Sequence, residues 1–457
     1  MTQSLKTTPR KIRLGAFLPG GGQHIAAWRH PDSPADGATS FDFHLKLAQE
    51  AERGLFDAYF LADGLAIAFG GGIEGGNAKV AGFEPVTLFA ALAPLTKNLG
   101  FIATASTTYE EPYNLARKFA SLDLISDGRA GWNVVTTATE SAAHNFNLDQ
   151  QHPHAVRYKR AAEHVDVVKQ LWDSFEDDAF LRDKESGRFF DPAKVHYANH
   201  KGAHFKVKGP LNVSRSPQGH PVIVQAGQSD DGRGLAAATA EVIFTAHQSL
   251  ETAQEFYRDI KARARGLGRN PDHILVMPGV SPFVGRTEAE AREKYDRLTS
   301  LILEEDGIAL LNGLTGGTLD LTGHDLDGPL PPAPPTEGMK SRQALIRRIA
   351  DENGFSIRQL YQYVASARGH FTVVGTPEQI VDTLQDWHAN EGADGFNILP
   401  PWLPTGLTDF VDLVIPELQR RGLFRTAYEG RTLRENLGLP FPQNRWAAQS
   451  RAAHAAE

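Results

Sequence analysis

Three side chains suited to phosphate binding lie near the starts of two predicted helices. His154 and Tyr158 are four residues apart, a spacing that places both on one helix face. Ser229 follows Gly227 where a second helix begins. Helix N-termini attract phosphate through their free amides, and a glycine lets the ligand approach the backbone. Taken singly, each residue is more typical of a helix cap than of a ligand site.

A carboxylate and two small hydroxyls are predicted at the ends of neighbouring strands. Asp63 ends the second strand in the sequence FLAD, and Thr104 and Ser106 end the third. Ligands of parallel α/β proteins bind at the carboxyl ends of the strands. Small hydroxyls there let a planar ring approach and can hydrogen-bond to its polar edge. The alternative is that Asp63 is a cap or turn residue and the hydroxyls are ordinary strand residues.

A possible substrate side is indicated by His24, Trp28 and Arg29, which follow the first predicted strand. Arg29 could pair bidentately with a substrate carboxylate. The alternative is that Trp28 packs internally and Arg29 forms an internal ion pair. Further candidate pocket residues are Phe69, Tyr109 and Asn133. No residue is assigned as a general acid or base.

The sequence lacks the usual signals of other chemistries. It contains no cysteine, which excludes disulfides, zinc-thiolate sites and a cysteine nucleophile. It has neither a GxSxG motif nor a P-loop. His196, His200 and His204 recur at intervals of four and could bind a metal, but Gly202 and the lack of a nearby carboxylate base favour a loop. This pattern favours chemistry carried by a cofactor.

The elements that must position these residues alternate between strands and helices. Helix, tight turn and buried strand follow one another in EPYNLARKFASLDLI-SDGRAGWNVVTT. About eight such alternations favour a (β/α)8 barrel, with an open doubly wound sheet as the alternative. Strands are predicted over 12–18, 58–62, 99–105, 130–136, 222–226, 241–245, 274–280 and 395–399. Helices are predicted over 41–53, 85–97, 113–125, 156–172, 230–239, 250–266, 287–304, 377–390 and 407–421.

Three stretches exceed a minimal barrel and are predicted insertions, near 64–82, 175–219 and 306–369. Insertions after strands commonly build active-site lids. The last contains GPLPPAPPTEG, for which a surface linker is the alternative. A C-terminal tail near 440–457 is expected to fray or to pack on a partner subunit.

Composition is that of an ordinary globular protein, with 457 residues, 41% hydrophobic and 22% charged. The net charge of −8 disfavours nucleic-acid binding, which requires a basic face. No apolar run is long enough for a membrane span, and the N-terminus lacks the apolar core of a signal peptide. A cytoplasmic protein is therefore predicted.

Longer stretches closely resemble FMN-dependent monooxygenases of the bacterial luciferase-like superfamily. They are FEPVTLFAALAPLTKNLG, TASTTYEEPYNLARKFASLD, SDGRAGWNVVTT, HPHAVRY, HFKVKGPLNVSRSPQGHPVIVQAGQS, DGFNILPPWLP and VIPELQRRGLFRTAYEG. The resemblance covers roughly the whole chain. It is strongest to the group of nitrilotriacetate monooxygenase component A and dibenzothiophene-sulfone monooxygenase, with the polyaminocarboxylate branch nearest.

The resemblance implies a single luciferase-like barrel domain over 1–457. It also implies that five residues bind FMN, because they match the family's cofactor positions: Asp63, Thr104, His154, Tyr158 and Ser229. No metal is implied. The substrate-pocket candidates His24, Arg29, Tyr109 and Asn133 remain hypotheses. The alkane-oxidising relatives have a histidine where this chain has Ala138, which argues against transferring their substrate-site chemistry.

The function implied is that of the oxygenase component of a two-component system. An NAD(P)H-dependent flavin reductase would supply reduced FMN, and the barrel would oxidise a small organic substrate with dioxygen. An aminopolycarboxylate that undergoes oxidative N-dealkylation is one candidate, and an organosulfur compound is another. The alternatives are a deazaflavin-dependent oxidoreductase of the same fold, a non-catalytic flavin-binding protein and a metal-dependent hydrolase. The family implies a homodimer or homotetramer.

Overall fold

Short runs rich in β-branched and aromatic residues form eight parallel strands. The computed structural model describes residues 10–67, 81–335 and 340–447. The strands are β1 (Arg13–Phe17), β2 (Ala58–Leu61), β3 (Gly100–Ser106), β4 (Ala130–Val135), β5 (Val222–Gln225), β6 (Val242–Thr245), β7 (Leu275–Val284) and β8 (Gly395–Ile398).

The strands close into a barrel because each has two neighbours. In β1, Gly15 is opposite Ala58 of β2 on one side and Asn397 of β8 on the other. The ring is completed where β7 pairs with both β6 and β8. The predicted (β/α)8 barrel is thus confirmed, and the open doubly wound sheet is excluded.

Helices pack around this ring. They are α1 (Phe41–Arg53), α2 (Pro85–Leu92), α3 (Pro112–Ile125), α4 (Glu140–His144), α5 (His154–Trp172), α6 (Asp230–Thr239), α7 (Leu250–Gly266), α8 (Glu288–Ser300), α9 (Glu304–Leu314), α10 (Lys340–Asn353), α11 (Ile357–Ala365), α12 (Pro377–Ala389), α13 (Thr405–Asp409), α14 (Ile415–Arg420) and α15 (Leu433–Leu437). None of the helices within the described ranges is long and apolar enough to cross a membrane.

Aromatic side chains fill the inside of the barrel. The rings of Phe17, Phe60 and Phe244 lie 5.3–5.5 Å from one another. Leu433 of α15 packs against the base of the barrel, where a side chain at Gly100 would meet it at 2.6 Å. The barrel is therefore a packed core, and ligand sites must lie at its mouth.

The turn between α3 and β4 connects the helix to the strand tightly. Gly128 has a φ of +83°, which favours glycine. The buried Arg129 guanidinium donates to the backbone carbonyls of Ala93 and Leu99 at 2.7 and 2.6 Å. This arginine links the helix to the strand that follows it.

Some predicted elements differ in the structure, two of them at a proline. The helix predicted over 407–421 is divided by a π-helical segment, Phe410–Val414, next to Pro416, which has no amide hydrogen to donate. Strand β7 is longer than predicted and carries a ninth, parallel strand, Phe371–Gly375, on its outer part. Pro282 interrupts the apolar pattern there, so the sequence did not indicate this pairing.

The insertion near 306–369 contains three helices and packs on the barrel mouth. Helices α9, α10 and α11 form a second apolar core that includes Ile25 and Ala246 from the loops after β1 and β6. The proline-rich segment is not a free linker up to residue 335, since Gln343 Nε2 donates to the Pro334 carbonyl at 2.8 Å. Residues 336–339 lie outside the described ranges.

The structure describes the second predicted insertion, and it describes the first insertion and the C-terminal tail in part. The stretch 175–219 contains a short antiparallel hairpin, His200–Lys201 with Lys206–Val207. Of the stretch 64–82, residues 68–80 lie outside the described ranges. The tail is not frayed as far as residue 447, because the buried Asn444 donates to the Asp173 and Phe175 carbonyls, each at 3.0 Å.

Candidate active site

Two cavities open at the barrel mouth and share a wall at Asp63 and Gly64. One, of about 560 Å³, lies over the loops after β1 and β2 and is lined by His24, Trp28 and His44 among others. The second, of about 360 Å³, lies over β4 and β5. Its polar lining residues include Asp63, His154, Arg157, Tyr158, Gln225, Ser229 and Arg342. Their combined size is within the usual range of cofactor sites.

The wall between α5 and α6 gathers three of the predicted cofactor residues. Ser229 is the N-cap of α6, and its Oγ accepts from the Gly232 amide at 3.2 Å. His154 Nε2 lies 3.4 Å from the same Oγ, and the imidazole ring centre is 4.6 Å from that of Tyr158. The α6 N-terminus, a hydroxyl, an imidazole and a phenol thus surround one corner of the smaller cavity, an arrangement suited to phosphate.

Gly227 keeps this corner open. A Cβ there would lie 2.9 Å from the Gly232 Cα and 3.3 Å from the Tyr158 hydroxyl. Any larger residue would therefore push the loop away from α6 or displace Tyr158. The sequence suggested this glycine for the close approach of a ligand, and in the structure the atoms that approach it belong to Gly232 and Tyr158.

Asp63 lies where the two cavities meet, as its position at the end of β2 predicts. Its carboxylate accepts from the Gly64 amide at 2.9 Å. Its surface is open to the cavities, but protein surrounds much of it, and this desolvation raises the pKa of the carboxyl to about 6. The Gly64 amide opposes the rise and nearby Glu84 adds to it.

Thr104 and Asn133 lie side by side on β3 and β4, below the mouth. Thr104 Oγ1 donates to the Leu61 carbonyl and accepts from Asn133 Nδ2, both at 2.9 Å. Neither residue lines the two cavities. The Asn133 Oδ1 is buried without a hydrogen-bond partner among the described residues.

His24 presents a buried donor to the larger cavity. Its Nδ1 accepts from the Ala26 amide at 3.1 Å, so the neutral ring carries its proton on Nε2. Burial, helped by the charge of Arg368, lowers the pKa of His24 to about 3. The Nε2 has no partner within the described part of the chain, and a ligand acceptor could satisfy it.

The other substrate-pocket candidates lie elsewhere. Arg29 donates to the Leu301 carbonyl and lines neither cavity, so its position does not suit the predicted contact with a substrate carboxylate. The Tyr109 ring stacks on Phe146 at 4.4 Å, also away from both cavities. Phe69 lies outside the described residues.

His196, His200 and His204 do not form a common site, because each makes its own local contact. His196 Nε2 contacts Glu176 at 2.8 Å, and His200 Nε2 contacts Glu163 at 3.0 Å. The His204 amide donates to the same Glu163 at 3.0 Å. In the ranges that the structure describes, no group of three or more His, Asp or Glu side chains could hold a metal ion.

Sequence patterns did not identify three polar residues of the smaller cavity. Gln225 ends β5, and its Oε1 has no hydrogen-bond partner among the described residues. Arg157 donates to the Thr137 carbonyl at 3.0 Å. Arg342 comes from α10, in an insertion. Gln225 and Arg157 were detectable in principle, since one ends a strand and the other lies between His154 and Tyr158.

Comparison with known proteins identifies the family. A model described as luciferase-like monooxygenase matches residues 23–394. The chain belongs to the luciferase-like monooxygenase family. This confirms the resemblance to flavin-dependent luciferase-like monooxygenases that the sequence shows.

Two relatives of this luciferase-like monooxygenase match nearly end to end. N-acetyl-S-(2-succino)cysteine monooxygenase of Bacillus subtilis (strain 168) is 52% identical over 96% of this chain and 99% of its own. Nitrilotriacetate monooxygenase component A of Aminobacter aminovorans is 48% identical over the same shares. Among solved structures, a riboflavin lyase with modified FMN has a TM-score of 0.85 and 34% identity, over 95% of this chain and 97% of its own.

The mouth of the luciferase-like monooxygenase fits a flavin. The corner at α6 offers hydrogen-bond donors for an anionic group. The unpartnered atoms of Gln225 and His24 offer polar contacts for the remainder of the molecule. Buried polar atoms without partners are costly unless a ligand or water satisfies them.

Proposed function

We propose that this chain is the oxygenase component of a two-component system and that its flavin is reduced FMN. The observation that carries the proposal is the convergence of His154, Tyr158 and Ser229 at the start of α6. A phosphate there would interact with the helix N-terminus and with three side-chain donors. A flavin without a phosphate would not use this corner.

The residues of the mouth would have separate tasks. Ser229, His154 and Tyr158 would hold the phosphate, while Asp63, at the junction of the cavities, and Thr104, below the mouth, would contact the rest of the cofactor. When bound, reduced FMN supplies two electrons to dioxygen, so that one oxygen atom enters the substrate and the other leaves as water. The packed phenylalanines below would keep water from entering through the barrel.

The relatives' names support a substrate that bears several carboxylates. Nitrilotriacetate and N-acetyl-S-(2-succino)cysteine are both such molecules. Oxidative N-dealkylation of a substrate such as nitrilotriacetate would oxidise a carbon beside nitrogen. With a substrate such as N-acetyl-S-(2-succino)cysteine, the oxidised carbon would lie beside sulfur. We infer that the substrate belongs to this class, either as an aminopolycarboxylate or as an organosulfur carboxylate.

The partner is proposed to be a separate NAD(P)H-dependent flavin reductase. A two-component organisation is supported by the relative named component A. A cytoplasmic location and a homodimeric or homotetrameric assembly remain predictions from the sequence and the resemblance.

The test is a coupled reaction under ¹⁸O₂. Purified protein, FMN, NADH and a flavin reductase are incubated with nitrilotriacetate or with N-acetyl-S-(2-succino)cysteine, and products are analysed by mass spectrometry. We expect substrate loss that requires both proteins, with ¹⁸O in an oxygenated or aldehyde product. Failure to bind reduced FMN, or turnover with a reduced deazaflavin but not with FMN, would contradict the proposal.

A further inference from the structure

Arg342 is a cation that lines the same cavity as the α5–α6 corner. It belongs to α10, in the insertion, and lines the smaller cavity. Its Nη1 donates to the Arg368 carbonyl at 2.7 Å. Loss of solvent around it lowers the pKa of the guanidinium to about 10. Across residues 10–67, 81–335 and 340–447, no carboxylate forms an ion pair with it at 4.0 Å or less.

The surrounding backbone makes room for this guanidinium. Gly369 has a φ of +88°, and a Cβ there would lie 2.8 Å from Arg342 Nη1. A side chain at this position would therefore strain the turn and displace the arginine. The close fit indicates that the guanidinium has a defined place and is not a mobile surface group.

The protein wall around Arg342 also contains Arg368 and His370. His370 lies within the electrostatic influence of both Arg342 and Arg368, and it stacks on Phe244 above the barrel core at 4.8 Å. The charge of Arg368 also acts on His24, which lines the larger cavity and whose buried Nε2 has no protein partner in the described residues. The wall thus combines cations with neutral imidazoles.

A wall of this composition selects for an anion. Buried cations are normally paired, and an arginine that faces a cavity can pair with a ligand carboxylate through two parallel hydrogen bonds. The cofactor has one strongly anionic group, and the α6 corner already offers donors for it. A second anion-binding group is therefore better explained by the substrate.

We propose that Arg342 binds a carboxylate of the substrate, with the Arg368 carbonyl and Gly369 fixing its guanidinium, and that it sets the preference for anionic substrates. This proposal rests on the function proposed above. The inserted helices would then contribute substrate choice, while the βα units hold the cofactor.

The test separates substrate binding from cofactor binding. Nitrilotriacetate and N-acetyl-S-(2-succino)cysteine are titrated by calorimetry into FMN-loaded wild type, Arg342→Gln and Arg342→Lys, and FMN affinity is measured separately by fluorescence. Arg348→Gln is the matched control, because Arg348 lies on the same helix in an exposed pair with Glu352. Gly369→Ala tests the position of the guanidinium without removing its charge.

For at least one of the two carboxylates, we expect Arg342→Gln to weaken binding about tenfold or more, the size of one hydrogen bond to a charged group. Arg342→Lys should recover part of the loss, Gly369→Ala should resemble Arg342→Gln, and Arg348→Gln should resemble wild type. The FMN Kd should stay within about twofold in all variants. An equal loss of FMN affinity would assign Arg342 to the phosphate and overturn the proposal.

Other outcomes also decide the question. Unchanged carboxylate binding in Arg342→Gln, or no binding of either carboxylate to the FMN-loaded wild type, would overturn the role of Arg342 while leaving FMN binding intact. If wild type fails to bind FMN, the proposed function itself fails. Melting temperatures of all variants identify any that are unfolded, and Arg342→Lys, which keeps the charge, then serves as the deciding variant.

Discussion

Buried acidic groups have partners at the base of the barrel, whereas some buried polar atoms at the mouth lack them. At the base, acidic residues directly precede three strands, and each has a cationic partner: Asp57 with Arg425, Glu241 with Arg434 at 2.5 Å, and Asp394 with Lys261 at 3.1 Å. At the mouth, polar atoms of His24 and Gln225 are buried with no partner in the described residues, and below the mouth the same holds for Asn133 Oδ1.

The base pairs also join neighbouring strands. Asp57 accepts from the Leu14 amide of β1 at 2.7 Å, Glu241 from the Ile223 amide of β5 at 3.1 Å, and Asp394 from the Val276 amide of β7 at 2.9 Å. Each carboxylate therefore fixes the register of two strands. The comparison shows that the charged groups at the base stabilise the fold. The polar atoms without a partner at the mouth are available to bind a ligand.

The largest effect is expected at the base. Asp57→Ala should lower the free energy of unfolding by about 3–5 kcal/mol, because it leaves the Arg425 cation buried without its partner. Urea denaturation followed by circular dichroism measures the change. Glu429→Ala, which removes an exposed pair with Lys11, should cost less than about 1 kcal/mol. Equal losses in the two variants would show that the base pairs are not structural.

The next largest effect is expected at Ser229 and distinguishes its role as a helix cap from its proposed role as a ligand contact. Ser229→Ala removes the α6 cap and should cost about 1 kcal/mol of stability, together with about tenfold in affinity for reduced FMN, through loss of one hydrogen bond to the phosphate. Ser249→Ala is the control, since Ser249 caps α7 in the same way. Its stability should fall similarly and its FMN affinity should not change.

This comparison has a clear contrary result. Similar FMN affinity in both cap variants, measured by anaerobic fluorescence titration, would mean that Ser229 serves only as a helix cap. The α6 corner would then lose one of its three side-chain ligands.

A smaller effect concerns pH. The pKa of Asp63 is raised to about 6 by desolvation, so its carboxyl is mostly neutral below pH 6 and charged above. A charged acceptor forms the stronger hydrogen bond, and FMN affinity should therefore rise a few-fold between pH 5 and 7. Because the folded state holds this proton more tightly, the ligand-free protein should lose some stability over the rise from about pH 4 to 6.

Asp63→Asn provides the control for the pH dependence. Titrations of FMN at pH 5, 6 and 7 should show a much flatter profile for the variant than for wild type. Identical profiles in the two proteins would exclude Asp63 as the titrating group.

The smallest stability change is expected at Gln225. Gln225→Met keeps the shape of the side chain and removes a buried polar atom without a protein partner, so the melting temperature should stay the same or rise slightly. Turnover with reduced FMN should fall nevertheless. A clear drop in melting temperature would mean that Gln225 stabilises the fold, as the charged residues at the base do.

The fold was largely predictable because its signals are local. Strand and helix periodicities lie within each βα unit, and helices α1, α6 and α7 begin and end where the sequence indicated. The proposed FMN residues were predicted from the resemblance. The end of a parallel strand explains the position of Asp63 at the mouth, whereas His154, Tyr158 and Ser229 reach it from α5 and α6. Their role as cofactor contacts stays a prediction.

The remainder depended on contacts that are distant in sequence. Arg342 reaches the cavity from an inserted helix, and no local pattern indicates where such a helix packs. The position of Arg29 is set by a carbonyl more than 270 residues away. Burial and hydrogen-bond partners decide which polar residues face a cavity, and periodicity alone does not supply them.

The most direct test of the mouth as the cofactor site is an anaerobic titration with reduced FMN. Wild type should bind one FMN per chain, and the triple variant His154→Ala, Tyr158→Phe, Ser229→Ala should not bind at the same concentrations. The variant should remain folded, because its base pairs are intact. FMN binding by the folded triple variant with wild-type affinity would contradict the account.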